Sequence, residues 1–397
     1  MKKNPPSFEL IETDEGLRAF AAQNAQTPWL CFDTEFVGEK RFTTLICLIQ
    51  VVTPLGCYLI DSIAVKNLKP FLDLIADPAI RKVTHAGEND YRLLYLQFGV
   101  LPRNVFDIQV AAGFIGYKYP TSYAKLVEGE MQVTLDKAYA VTDWEARPFN
   151  PRQLTYALDD VLYLPELSQK IQNRLKALGR LDWAMEEIST FEQAAMYDRD
   201  PNREALMSNL MPSLKPKEQI LLLRLYHWRN EEARRLNYSK EMIFPAKMMG
   251  ILIRAIASGK DALLANRRLP QRTIQKHGNH FWDLFSRPAT PEEQEVLGLV
   301  AGYVEEDPEH DLIMEMLHLL IRYRCNQEEI SIDLVLPRGV LKKLKADENF
   351  FDPSLSDSWR KAFLGEELID WIKHRHHLRL EFKKGSFELT YRENGLK

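Results

Sequence analysis

The feature that most constrains this chain is a series of short apolar runs of β-type composition set among helical patterns in its first half. These runs are WLCFDTEF (29 to 36), TLICLIQVV (44 to 52), CYLID (57 to 61), KVTHA (82 to 86) and NVFDI (104 to 108). The first three are joined by short loops containing Gly or Pro, as hairpins are. The later ones are separated by amphipathic helical stretches near 68 to 76 and 88 to 98. Using both kinds of connection gives a mixed sheet with helices on both faces, so the first half is expected to be an α/β domain.

Strand signals largely stop after about residue 175. The polar stretch MYDRDPNREALMSNLMPSLKPKEQ (196 to 219) reads as a linker into helical sequence, whose clearest amphipathic segment is LLLRLYHWRNEEARRLN. SRPATPEEQ (286 to 294) is a second break, with a proline and a helix-start signature. Three domains are expected: residues 1–205, 212–290 and 291–397, the last two small and all-helical. At the end, LRLEFKKGSFELTYR alternates apolar and polar residues around Lys384 and Gly385, which predicts a hairpin.

With 397 residues, 45% of them hydrophobic, each domain can bury a core. No apolar run approaches the roughly 20 residues of a membrane span, so a soluble cytoplasmic protein is expected. Of Cys31, Cys47, Cys57 and Cys325, none forms a CxxC pair, which argues against a disulfide framework or a zinc site. A net charge of −4 excludes a chain that is basic throughout, so nucleic-acid contact would need a local patch. No feature of the composition demands an oligomer or an organic cofactor, and a monomer is expected.

Asp33 and Glu35 stand at i and i+2 at the carboxyl end of the first run, where a strand turns both to one face and where open α/β sheets bind ligands. A solvated edge pair would look the same in isolation. The apolar neighbours Trp29 and Cys31 on the same face favour a half-buried pair, which repels itself unless a cation neutralises it. In YALDD, Tyr156 and Asp160 share one helix face a turn apart, with Asp159 turned away, while Asp90 stands near the start of the helix after the fourth run. A solvated helix face and a favourable charge at a helix amino end are the plain alternatives. Acids from one strand and two helices that converge imply divalent metal, and oxygen ligands suit two Mg²⁺ or Mn²⁺ ions for phosphodiester hydrolysis.

At these residues the chain resembles the DEDD exonuclease superfamily, in the subgroup whose third motif is YxxxD, and within it the ribonuclease D family. The match is ordered: FDTEF (32 to 36), HAGENDYRLL (85 to 94) and LDKAYAVTDWEARPFNPRQLTYALDDVLYL (135 to 164), with coverage of about 8 to 195. The resemblance implies a ribonuclease H-like α/β catalytic domain followed by two HRDC-like helical domains. It implies that Asp33, Glu35 and Asp160 hold the ion that activates water, that Asp33 and Asp90 serve the second, and that Tyr156 orients the water. AYAVTDW stands where relatives commonly have small polar residues, a departure that touches substrate fit from Lys137 to Trp144. His85 reads as structural.

The implied activity is 3′-to-5′ exonucleolytic hydrolysis of RNA with an accessible 3′ end, tRNA precursors foremost, releasing 5′-mononucleotides. Thr34 and Gln50 are candidates to touch the terminal nucleotide, and Trp144 and Arg147 to touch the RNA or pack their own loop. Residues 212 to 290 resemble the HRDC domain, and Arg267, Arg268, Arg272 and Lys276 offer a basic face for phosphates or simply a solvated one. WRKAFLGEELIDWI (359 to 372) is similar to the family's second helical domain, and the acidic EEDPEHD (305 to 311) would not favour RNA. A DNA 3′-5′ exonuclease and a non-catalytic RNA-binding protein are the alternatives. No helicase or polymerase motif supports the first, and the retained acids weigh against the second.

Overall fold

The computed structural model describes residues 7–135, 142–198, 200–299, 308–347 and 350–391. The expectation for Lys137 to Val141 and the start of the acidic stretch (305 to 307) therefore lie outside the described residues.

A six-stranded sheet in the order β1-β4-β3-β2-β5-β6 organises the first half. Its strands are β1 (Phe8–Ile11), β2 (Trp29–Val37), β3 (Leu45–Thr53), β4 (Gly56–Ile60), β5 (Arg81–Thr84) and β6 (Val105–Asp107). β3 and β4 pair antiparallel, as a short loop requires, whereas β2 with β5 and β5 with β6 pair parallel across helical connections. β3 is buried along nearly its whole length, which explains why LICLIQVV reads as a continuous apolar run. β1, a four-residue edge strand parallel to β4, has too short and too exposed a pattern to show in the sequence.

The helices around the sheet are α1 (Asp14–Asn24), α2 (Lys69–Ala76), α3 (Glu88–Phe98), α4 (Ile108–Ala112), α5 (Tyr123–Met131), α6 (Pro151–Leu162), α7 (Leu164–Ala177) and α8 (Leu181–Ile188). Phe20 of α1 meets Tyr58 of β4 edge-on at 4.7 Å, and Phe71 of α2 meets Phe32 of β2 at 5.8 Å, so α1 and α2 cover one face. Asp33, next along β2, points to the other face, toward α6.

The chain divides into two compact units: residues 1–36, 46–197 and 304–397 form one, and residues 37–45 and 198–303 the other. In the first, the C-terminal helices share one apolar core with the sheet domain. Trp359 packs on Phe114 at 4.7 Å and stacks on Trp183 at 6.0 Å, while Arg360 pairs with Glu187 at 2.9 Å. Strands β7 (Leu378–Lys383) and β8 (Ser386–Tyr391) form the hairpin expected around Lys384 and Gly385. The second unit is helical. Trp228, on the long helix Pro216–Leu236, packs on Phe244 and, at 4.6 Å, on Phe281 of the helix Gln271–Ser286.

Candidate active site

Three elements bring acids together at the carboxyl end of β2. Asp33 and Glu35 come from β2 itself. β5, its parallel neighbour, ends at Thr84 and passes through Ala86, at φ +58°, and Gly87 into α3, whose first turn carries Asp90. Gly87 is required here, because a Cβ would stand 2.5 Å from Thr84 Oγ1. Asp107, fully buried at the end of β6, fixes this corner. Its carboxylate accepts Thr84 Oγ1–H at 3.1 Å and the Gly87 N–H at 2.9 Å, and also caps α4 through the N–H groups of Gln109 and Val110.

α6 supplies the remaining groups. Asn150 and Gln153 form a capping box at its start, with Pro151 in the first turn, so the register that places Tyr156 and Asp160 one turn apart is set from the amino end. The Tyr156 hydroxyl hydrogen-bonds Asp160. At the other end, the Tyr163 N–H donates to the Tyr123 hydroxyl at 3.2 Å, and Tyr123 is itself an electrostatic neighbour of Asp160 and Asp33.

Electrostatics shows the convergence most directly. Asp33 is raised well above the usual carboxylate range by burial first, then by Asp90, Asp160 and Glu35; a backbone hydrogen bond at Thr34 opposes the shift only in part. Burial, with Asp160 and Asp90, pushes Glu35 up to about 8. Burial likewise lifts Asp90 to about 7 against the opposing hydrogen bond from Thr34, and lifts Asp160 to about 7 with help from Asp159. Burial and the same carboxylates raise the Tyr156 phenol. Among the described residues no three acidic, histidine or cysteine side chains stand close enough together to hold a metal ion as they are. The acids are nonetheless electrostatic neighbours, since Asp90 and Asp160 both raise Asp33 and Glu35. Oxygen donors whose negative charge is penalised by burial and by neighbouring carboxylates fit a divalent cation, which reverses the penalty.

The other predicted residues fall in distinct places. Thr34 is buried and donates to the Asp90 carboxylate, so it orients an acid. Gln50 is fully buried, and neither amide atom has a hydrogen-bond partner among the described residues. Its strand neighbour Val51 pairs with Tyr58, which packs on α1, so Gln50 points to the α6 side of the sheet. Trp144 is buried with its ring 6.4 Å from that of Tyr156, and Arg147 is ion-paired with Asp61. His85 hydrogen-bonds the Thr121 carbonyl at 3.0 Å beside the Tyr123 ring, a structural position. In the second unit Arg267, Arg268, Arg272 and Lys276 are exposed, and Lys276 lies 3.3 Å from Glu232. Asp61, Asp107 and Tyr123 did not stand out in the sequence. For the two acids the available signal was an aspartate closing an apolar run, in CYLID and NVFD.

Residues 8–176 match the 3′-5′ exonuclease family and residues 218–284 the HRDC domain. Ribonuclease D of Granulibacter bethesdensis is 34% identical over 381 residues, covering 92% of each chain. Ribonuclease D of Nitrobacter hamburgensis is 28% identical over 386 residues, covering 95% of this chain and 98% of the relative. Among solved structures, Escherichia coli RNase D, an exoribonuclease involved in structured RNA processing, shares the fold with a TM-score of 0.80. It is 24% identical, and the match covers 92% of this chain and 99% of that one.

Proposed function

The chain belongs to the ribonuclease D family, and on that premise we propose that it shortens structured RNA from the 3′ end, tRNA precursors foremost, releasing 5′-mononucleotides. It is a hydrolase of nuclease type with a 3′-5′ exonuclease domain. The proposal includes action as a monomer in the cytoplasm without an organic cofactor. No helix among the described residues is long and apolar enough to cross a membrane.

The observation that carries this reading is the convergence of four acids from one strand and two helices: Asp90 and Asp160 stand close enough to raise both Asp33 and Glu35, beyond the effect of burial. Asp33, Glu35 and Asp160 would hold one Mg²⁺ or Mn²⁺ ion, and Asp33 with Asp90 would serve a second. Bound there, the two ions supply the positive charge that activates water and stabilises the departing 3′ oxygen. Thr34 donates a hydrogen bond to the Asp90 carboxylate and so fixes one of its oxygens. Tyr156, whose phenol is raised far above neutral pH, stays protonated. It therefore orients the attacking water through its hydroxyl, anchored on Asp160, and does not take the proton itself.

The test is product analysis on a 3′-tailed, 5′-labelled structured RNA and the matching DNA, with Mg²⁺, with Mn²⁺ and with chelator, beside Asp33→Asn. Stepwise, metal-dependent shortening of the RNA that Asp33→Asn abolishes is the expected result. RNA that is bound but intact under every metal condition would overturn the catalytic reading, and shortening of DNA alone would overturn the substrate.

A further inference from the structure

Arg147 and Trp144 precede α6 by a few residues, and each is committed to protein contacts. The Arg147 guanidinium uses all five of its N–H donors within the chain. Nε and Nη2 grip Asp61 at 2.5 and 2.7 Å, Nη2 also donates to the Cys47 carbonyl at 2.9 Å, and Nη1 donates to the carbonyls of Trp144 at 2.7 Å and Ala146 at 3.0 Å. Its face covers the Phe149 ring at 3.7 Å. Asp61 is 1% exposed at the end of β4, and its Oδ1 also accepts the N–H groups of Ile63 and Ala64. The pair therefore ties the segment before α6 to the two strands β3 and β4.

From that anchor the connection runs to the reacting face. Trp144, whose carbonyl Arg147 holds, lays its ring 6.4 Å from the Tyr156 ring at an interplanar angle of 38°. On the far side of the segment, Gln153 of α6 donates to Thr142 Oγ1 at 2.9 Å and to the Asp143 carbonyl at 3.2 Å. The residues around Trp144 are thus pinned at both ends, to the sheet and to the first turn of α6. Tyr156 is fixed from two sides: its hydroxyl is bound to Asp160, and its ring is backed by Trp144.

We propose that Asp61, Arg147 and Trp144 are positioning residues for Tyr156, a latch from the sheet that holds the phenol ring in its water-orienting pose. The inference rests on the exonuclease reading above and deepens it. It also gives Arg147 and Trp144 work that needs no RNA contact: a guanidinium with every donor engaged has none left for a phosphate. A displacement of the phenol by a fraction of an ångström to an ångström costs turnover and leaves the ground-state RNA complex intact.

The experiment compares Arg147→Ala, Arg147→Lys and Trp144→Phe in the wild-type background and in a Tyr156→Phe background. Single-turnover shortening of the tailed RNA is measured with excess enzyme and Mg²⁺, and RNA affinity is measured with chelator. In the wild-type background Arg147→Ala should slow cleavage by about 10- to 100-fold, with RNA affinity changed less than about 2-fold. In the Tyr156→Phe background the same change should cost no more than about 3-fold, because the group it acts through is gone. Where Arg147→Ala does not fold, Arg147→Lys and Trp144→Phe carry the same comparison. Equal losses in both backgrounds would overturn the proposal, as would weakened RNA binding with unchanged cleavage, which would put Arg147 on the RNA. An inactive wild-type protein in the same assay would instead overturn the exonuclease reading.

Discussion

Asp90→Asn should make the metal-free protein more stable at pH 8 while it damages the enzyme. Asp90 is 5% exposed, and burial lifts it from its ordinary 3.8 to about 7. Its folded-state pKa lies above its unfolded one, so between pH 3.8 and about 7 the folded chain holds the proton more tightly. Stability from this group is complete below pH 3.8, falls as pH rises and is lost above about 7. About three pH units at 1.36 kcal/mol each set a ceiling of about 4 kcal/mol, part of which side-chain movement and water entry recover. Asparagine keeps the oxygen that accepts from Thr34 and removes the charge. A net gain of about 2 kcal/mol corresponds to a rise of about 3 to 4 °C in the melting temperature of a unit this large, at about 2.1 cal/mol/K of unfolding entropy per residue. The assay is thermal melting of both proteins in chelator at pH 5 and pH 8, then in excess Mg²⁺. The variant should be the more stable in chelator at pH 8, by a margin that shrinks to less than half at pH 5. Mg²⁺ should raise the wild type more than the variant, because an ion that binds only the folded state stabilises it by mass action. Equal melting at pH 8 in chelator, or a difference that does not change with pH, would refute the reasoning.

Other expectations follow from separate parts of the molecule. Lys82 is fully buried, with its ammonium donating to the carbonyls of Leu74, Asp77 and Ile80, and burial depresses it from 10.5 to about 8. The unfolded chain then binds more protons between pH 8 and 10.5, so wild-type stability should rise with pH across that window relative to Lys82→Met; parallel profiles in urea titrations would show otherwise. Trp359→Ala, which removes a 2% exposed ring from contact with Phe114 and Trp183, should cost about 3–5 kcal/mol and shift the urea transition of the exonuclease unit; a loss under about 1 kcal/mol would contradict a shared core. Replacing the exposed Arg268, Arg272 and Lys276 by Ala should weaken RNA binding and reduce its logarithmic salt slope by about 2, at roughly 0.7 per lost phosphate contact; an unchanged slope would make that face merely solvated.

Local pattern carried most of the fold. The β2 to β6 runs and the C-terminal hairpin were legible because alternation and turn residues act over a few positions. β1 was not, because an edge strand of four residues held by a partner almost 50 positions away has no local signature. The same reasoning divides the site. Asp33 with Glu35 and Tyr156 with Asp160 announce themselves by spacing within one strand and one helix. The supports of those groups are set by distant partners: Asp61 lies 86 residues from Arg147, Asp107 lies 20 from Gly87, and Thr34 lies 56 from Asp90. A sequence shows that Arg147 is charged and near the motif, which suits phosphate binding and an internal ion pair equally. Only the buried carboxylate opposite it decides between them. In this chain two pairs of the groups that would meet metal and water are short-range in sequence, whereas the contacts of Asp61, Asp107 and Thr34 that support the site are long-range. A substitution at Asp61 or Asp107 should therefore disturb catalysis as an error of aim, visible in turnover before it is visible in RNA binding.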